Sequence, residues 1–80
     1  MRDAGTRITS AVHLGAAIKQ RRRELGYTQR EVAEFNRCSI RFISELERGM
    51  AGANFRQVLL IVNSLGLDLF IKERGESEWR

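Results

Sequence analysis

Residues 28–49, TQREVAEFNRCSIRFISELERG, carry the strongest structural signals of the sequence. Thr28 is followed three residues later by Glu31, a spacing typical of a capping box at the start of a helix. A few residues further on, Ser39 can cap a second helix, whose apolar pattern ends at Gly49. The stretch therefore predicts two short helices joined by a tight turn.

Helical patterns lie on both sides of this stretch. They predict one helix from about Ala11 to Leu25 and another that begins at an Asn54 cap, with Gln57 closing a second capping box. The chain has no proline, so the glycines that follow the patterns are expected to end the helices. The apolar residues predicted to face the core are Leu14, Ile18, Leu25, Val32, Ala33, Ile43, Leu46, Phe55, Val58, Leu59, Val62 and Leu65.

After Gly66 the apolar pattern changes from helical spacing to the alternation of a strand, over residues 67–73. A single strand in a helical chain lacks a partner, so we predict antiparallel pairing with the same strand of a second copy. Residues 1–10 and 74–80 are expected to be flexible, which leaves residues 11–66 as the helical domain. The residues predicted to form the dimer strand are Leu67, Leu69, Phe70 and Ile71.

Length and charge indicate a small globular domain with a basic surface. Eighty residues form one domain with a small core, which a second copy would help to stabilise. Lysine and arginine number 14 against 10 acidic residues, and only Lys19 and Lys72 are lysines. An arginine-rich surface suits phosphate contacts, although a merely solvated basic face has the same composition.

Several function classes find no support in the sequence. Cys38 is the only cysteine, and no cluster has metal-ligand spacing, so neither a metal nor a cofactor is predicted. No nucleophile–base pair, carboxylate pair or phosphate-binding glycine loop can be assembled, which argues against an enzyme. No apolar run is long enough for a signal peptide or a membrane span, so we expect a cytoplasmic protein.

Two charged residues are predicted on core faces. Arg22 lies four residues after Ile18 on the first helix, and Glu47 lies four residues after Ile43 on the third. A charge on a core face needs an opposite charge, which predicts a buried Arg22–Glu47 ion pair. The alternative is that both side chains reach out to water.

Two helices joined in this way can read DNA, with the second in the major groove and the first across the backbone. The segments ELGYTQREVA and ISELERG resemble the Xre-type helix-turn-helix family of phage repressors and antitoxins. RFISELERG, followed by one short strand, is most similar to HipB-like antitoxins of type II toxin–antitoxin systems. The resemblance implies a mainly α, lambda-repressor-like domain of four to five helices, with one C-terminal β-strand paired across a homodimer.

The resemblance also implies which residues contact DNA. Base edges would be contacted by Ile40, Arg41, Ser44 and Glu45. Phosphates would be contacted by Thr28, Gln29, Ser39 and Arg48. Arg41 is the best candidate for guanine, because its guanidinium matches O6 and N7, and Glu45 could accept from a cytosine amine. Ile40 could instead pack in the core, and Thr28 and Ser39 also serve as helix caps.

The partners implied by the resemblance are double-stranded operator DNA, a second copy of the chain and a HipA-type serine/threonine kinase toxin. The implied function is that of an antitoxin and transcriptional autorepressor at the nucleoid. Trp79, alone in a polar tail, is a candidate anchor for the toxin, since tryptophan dominates many binding hot spots. Two alternatives remain open: a free-standing regulator without a toxin, and a protein-binding adaptor that has lost DNA contact.

The sequence departs from the family pattern in and around the turn. Arg37 stands where many relatives have a glycine, and a left-handed backbone there would cost an arginine free energy. Asn36 replaces an apolar residue, and Phe42 replaces a small one. These departures affect the detail of the turn rather than the fold.

Overall fold

The computed structural model describes residues 5–50 and 52–74. Within these ranges the chain forms four helices, and the prediction of a mainly α fold is confirmed. In chain order the helices are α1 (Ala11–Leu25), α2 (Gln29–Asn36), α3 (Ile40–Glu47) and α4 (Phe55–Ser64). No described helix combines the length and the apolar character that a membrane crossing requires.

Each helix begins at a side-chain cap. The capping residues are Ser10, Thr28, Ser39 and Asn54. At α2 the predicted capping box is complete, because Glu31 Oε1 accepts the Thr28 backbone N–H at 2.8 Å. The second box is not formed as predicted: the Gln57 side chain instead donates to the Asn36 carbonyl at 3.2 Å. That carbonyl lies at the end of α2, where the helix supplies no partner, so Gln57 ties α4 to α2.

The core lies where the four helices meet. Its buried apolar residues are Ile18, Val32, Ala33, Ile43, Leu46, Val58, Ile61, Val62 and Leu65. The predictions for Leu25 and Phe55 are wrong, since both are exposed, Phe55 by 64%. They are the last residue of α1 and the first of α4, where the helices extend past the edge of a small core. Leu59 is half-buried, and fully buried Ile61 is the core residue of α4 that the sequence pattern missed.

α1 and α3 approach each other closely at Gly15. A Cβ atom at this position would lie 2.6 Å from the Glu47 carbonyl oxygen and closer still to that of Leu46. Real Cβ atoms do not approach backbone so closely, so the contact requires glycine. The last turn of α3 is thereby fixed against the first half of α1.

The C-terminal segment after α4 forms neither helix nor strand as far as residue 74. Leu67 packs against the core, whereas Leu69, Phe70 and Ile71 are exposed. A strand requires a hydrogen-bonded neighbour, and the helices of a single chain offer none. The strand and its pairing across a dimer therefore stay predictions, and Trp79 lies outside the described residues.

Candidate nucleic-acid interface

α2 and α3 are joined by a turn with a left-handed residue at its centre. Arg37 has φ 55° and ψ 45°, and its backbone N–H is directed at the carbonyls of Ala33 and Glu34. The Cys38 backbone N–H then returns to the Ala33 carbonyl at 3.0 Å. These bonds close the end of α2 and set the direction in which α3 begins. Burial against the core raises the pKa of the Cys38 thiol.

α3 has one face in the core and the other towards solvent. Ile43, Leu46 and Glu47 are buried, which fixes the rotation of the helix about its axis. The opposite face then carries the four residues predicted to contact bases: Ile40, Arg41, Ser44 and Glu45. Ile40 and Arg41 are exposed, while Ser44 and Glu45 are partly exposed. The structure thus places all four on one accessible surface, and Ile40 is not a core residue.

The polar side chains of this face pair along the helix. Arg41 Nε donates to Glu45 Oε2 at 2.9 Å, and Arg48 Nη1 donates to Ser44 Oγ at 2.9 Å. The Arg41 side chain is still 85% exposed. Exposed pairs of this kind contribute only about 0–1 kcal/mol. The bond to Glu45 therefore leaves the guanidinium able to bind another partner, such as the two acceptors of a guanine edge.

The first turns of α2 and α3 carry three of the predicted phosphate contacts. Thr28 Oγ1 accepts from the Glu31 backbone N–H, and Ser39 Oγ accepts from the Phe42 backbone N–H, each at 3.0 Å. Gln29 is partly buried, and its Nε2 donates to Glu47 Oε1 at 3.0 Å. One hydrogen of the Gln29 amide is therefore used within the protein, and the second stays able to donate to a phosphate.

Arg22 and Glu47 are joined beneath this surface. Arg22 Nε lies 2.6 Å from Glu47 Oε2, and Arg22 Nη2 lies 3.0 Å from Oε1. Their side chains are 10% and 2% exposed, so neither reaches out to water. Arg22 Nη1 also donates to the Tyr27 carbonyl at 2.9 Å, and the hydrogen bond to Glu47 raises the pKa of Arg22. The carboxylate of Glu47 therefore connects α1 and α3 and, through Gln29, the first residue of α2.

A second polar cluster, which the sequence pattern did not predict, lies at the far end of α2. Asn36 Nδ2 donates to the Val32 carbonyl at 2.9 Å and to Ser64 Oγ at 3.1 Å. Together with the bond from Gln57 to the Asn36 carbonyl, these contacts hold α2 against α4. The available signal was the departure from the family pattern, since a polar residue at an apolar position needs polar partners.

The described residues contain no set of three His, Cys, Asp or Glu side chains placed to hold a metal ion. The single cysteine of the chain, Cys38, lies in the turn between α2 and α3 as a free thiol.

Comparison with known proteins gives one consistent result. A family model described as a helix-turn-helix domain matches residues 13–69. An uncharacterized HTH-type transcriptional regulator, y4mF of Sinorhizobium fredii (strain NBRC 101917 / NGR234), is 33% identical over 70 residues, which are 88% of this chain and 92% of the relative. Among solved structures, a HipA–HipB–O2–O3 complex matches with a TM-score of 0.80 and 25% identity, over 89% of this chain and 100% of the matched chain. A HipB–O4 20mer complex matches with the same score and identity, again over 89% and 100%.

Proposed function

Since the chain belongs to the Xre-type helix-turn-helix family of DNA-binding transcriptional regulators, we propose that it is a sequence-specific antitoxin and autorepressor that binds operator DNA as a homodimer. The observation that carries the DNA-binding part is the solvent face of α3. Core contacts on one side of this helix leave Arg41 and its neighbours facing outward, beside the capped beginnings of α2 and α3. This is the arrangement that a helix needs in order to enter the major groove.

In the proposed complex, some residues of α2 and α3 contact bases and others contact phosphates. Arg41 releases or shares its bond to Glu45 and binds guanine O6 and N7 through its two terminal nitrogens. Ile40 contacts a thymine methyl group. Gln29 and the backbone amides that begin α2 and α3 bind phosphates, which sets the position of the protein on the duplex. Arg48 adds a further phosphate contact near the end of α3.

The proposed dimer is supported by the exposed apolar residues of the C-terminal segment. Leu69, Phe70 and Ile71 are three consecutive exposed apolar residues. A monomer surface ordinarily shows such residues singly, so a run of three supports an interface. Antiparallel pairing of residues 67–73 with a second copy would satisfy the backbone and cover these side chains. Two copies of α3 would then meet half-sites about one helical turn apart.

The proposed protein partner is a HipA-type kinase toxin. The support is the similarity to HipB chains, one of which was solved in a complex with HipA and the O2–O3 DNA. Trp79 in the C-terminal tail is the residue that we propose as an anchor for this partner. A free-standing regulator is the second candidate, favoured by the relative that is known only as an HTH-type transcriptional regulator. Co-purification from the native host separates the two, because only an antitoxin retains a kinase-like protein.

DNA recognition is tested by fluorescence anisotropy with duplexes that cover the protein's own promoter. Arg41→Ala should weaken binding by about 1–3 kcal/mol and relax preference at one base pair per half-site. Gln29→Ala should weaken binding to all sequences to a similar extent, since phosphates carry no sequence information. An Arg41→Ala variant with unchanged preference at every position would contradict the assigned role of α3.

Dimerisation is tested by sedimentation of a variant in the C-terminal segment. Leu69→Pro removes a backbone donor from the proposed strand and should give monomers. Leu69→Val is the matched control, because it keeps both the donor and an apolar side chain and should stay dimeric. A dimeric Leu69→Pro protein would place the interface elsewhere.

A further inference from the structure

The turn between α2 and α3 holds an arginine where backbone geometry favours glycine. Arg37 has φ 55°, and it is the one non-glycine residue with positive φ among the residues that the structure describes. At the other described positions with positive φ the chain has Gly5, Gly26, Gly49, Gly52 and Gly66. A side chain is disfavoured in this conformation, so the chain keeps Arg37 at a cost to its own stability.

Nothing in the described chain compensates for that cost. The Arg37 side chain is exposed, and its guanidinium has no hydrogen bond or ion pair within residues 5–50 and 52–74. Only its backbone is engaged, through the bonds that end α2, and a glycine would make the same bonds. The bonds that end α2 impose this conformation on Arg37, and residues held in such conformations cluster at sites that act on a ligand.

The position of Arg37 indicates which ligand this is. It lies two residues before the Ser39 cap and four before Arg41, at the end of α3 that leads into the groove. A groove is bordered by phosphates, and an arginine side chain is long enough to reach one from the protein backbone. Resting on the proposed function, we propose that Arg37 is a further DNA contact, which binds a backbone phosphate at the edge of the groove that α3 enters.

Three substitutions separate charge from backbone strain. Arg37→Gly removes both and should raise the melting temperature while it weakens DNA binding. Arg37→Gln keeps a side chain on the left-handed backbone and removes the charge, so it should weaken binding without raising the melting temperature. Arg37→Lys keeps the charge and should bind within about twofold of the unchanged protein, since a single phosphate accepts either cation.

The expected size follows from counterion release. Loss of one phosphate contact makes the negative slope of log K against log[salt] shallower by about 0.9 for each chain of the dimer. At 0.1 M salt this corresponds to roughly an eightfold loss of affinity per chain, and so to roughly 60-fold for the dimer. Arg23→Gln is the matched control, because Arg23 is exposed on α1 and lies beside Ala16 and Lys19, outside the α2–α3 unit.

The measurement is anisotropy titration of the full chain on promoter DNA at four salt concentrations. A shallower salt dependence of binding for Arg37→Gln and Arg37→Gly than for Arg23→Gln supports the contact. Equal slopes and affinities for Arg37→Gln and Arg23→Gln would overturn it, even while the unchanged protein binds its promoter. Failure of the unchanged protein to bind DNA would instead contradict the proposed function.

Discussion

Removal of one partner of the Arg22–Glu47 pair should destabilise the fold severely. In Glu47→Ala the Arg22 guanidinium stays buried and loses two of its three described acceptor contacts, keeping only the Tyr27 carbonyl. A buried charge without its counterion costs about 3–5 kcal/mol. At about 0.05–0.15 kcal/mol per residue, a domain of this length has roughly 4–12 kcal/mol in total. The single change therefore removes a large part of the stability.

The size of this loss is measured by urea unfolding followed by circular dichroism at pH 7, at one fixed protein concentration. Arg22→Met should lose a similar amount, because Glu47 then retains only the bond from Gln29. The double variant Arg22→Met/Glu47→Leu leaves no unpaired charge and should recover most of the loss. Compared with the single variants Arg22→Met and Glu47→Leu, it should give a coupling energy of about 2 kcal/mol or more.

The exposed pair on α3 is the control for this experiment. Arg41 and Glu45 also form an ion pair, at 2.9 Å, but the Arg41 side chain is 85% exposed. Arg41→Ala should therefore change the free energy of unfolding by no more than about 1 kcal/mol. A loss of no more than about 1 kcal/mol for Glu47→Ala would show that burial does not make the Arg22–Glu47 pair stronger than an exposed pair.

Three further changes test other parts of the fold. Gly15→Ala should lower the free energy of unfolding by about 1–3 kcal/mol, because the added Cβ would overlap the backbone of α3. An unchanged urea midpoint would refute the close approach of the two helices. Gln57→Ala should lower the free energy of unfolding by about 0.5–1.5 kcal/mol, because it leaves the Asn36 carbonyl unpaired. Gln20→Ala, at an exposed position, is the control and should lower it less. Equal losses would contradict the link between α2 and α4. Burial raises the pKa of the Cys38 thiol, so this thiol ionises in the unfolded chain at a lower pH than in the folded chain. The free energy of unfolding should therefore fall above about pH 9 in the unchanged protein, and fall less in Cys38→Ser. Parallel pH profiles of the two proteins would exclude this effect.

The helices could be predicted because their signals are local. The spacing of Thr28 and Glu31 and the cap at Ser39 act within one turn of the chain, and the structure has both helices where these residues place them. The face of α3 could be predicted for the same reason, since Ile43 at its centre fixes which side is buried.

The errors arise where a residue's environment depends on another part of the chain. Periodicity gives Phe55 an inward face but carries no information about where the small core ends, and Phe55 lies beyond that edge. The Gln57 side chain had a local partner available and instead bonds the Asn36 carbonyl, 21 positions away. Gly15 matters only because α3 crosses α1 at that point. No local pattern specifies such contacts.

Sequence-specific binding by α3 is measured as the ratio of two affinities. Duplexes from the protein's own promoter and shuffled duplexes of equal length and composition are titrated with the full chain at one stated salt concentration. We expect binding to the promoter to be tighter by about 10³-fold or more, with both affinities falling as salt rises. Arg41→Ala should weaken binding to the promoter duplex more than binding to the shuffled duplex, and so reduce the ratio. Equal affinities for the two duplexes would contradict the account of α3 as a sequence-reading helix.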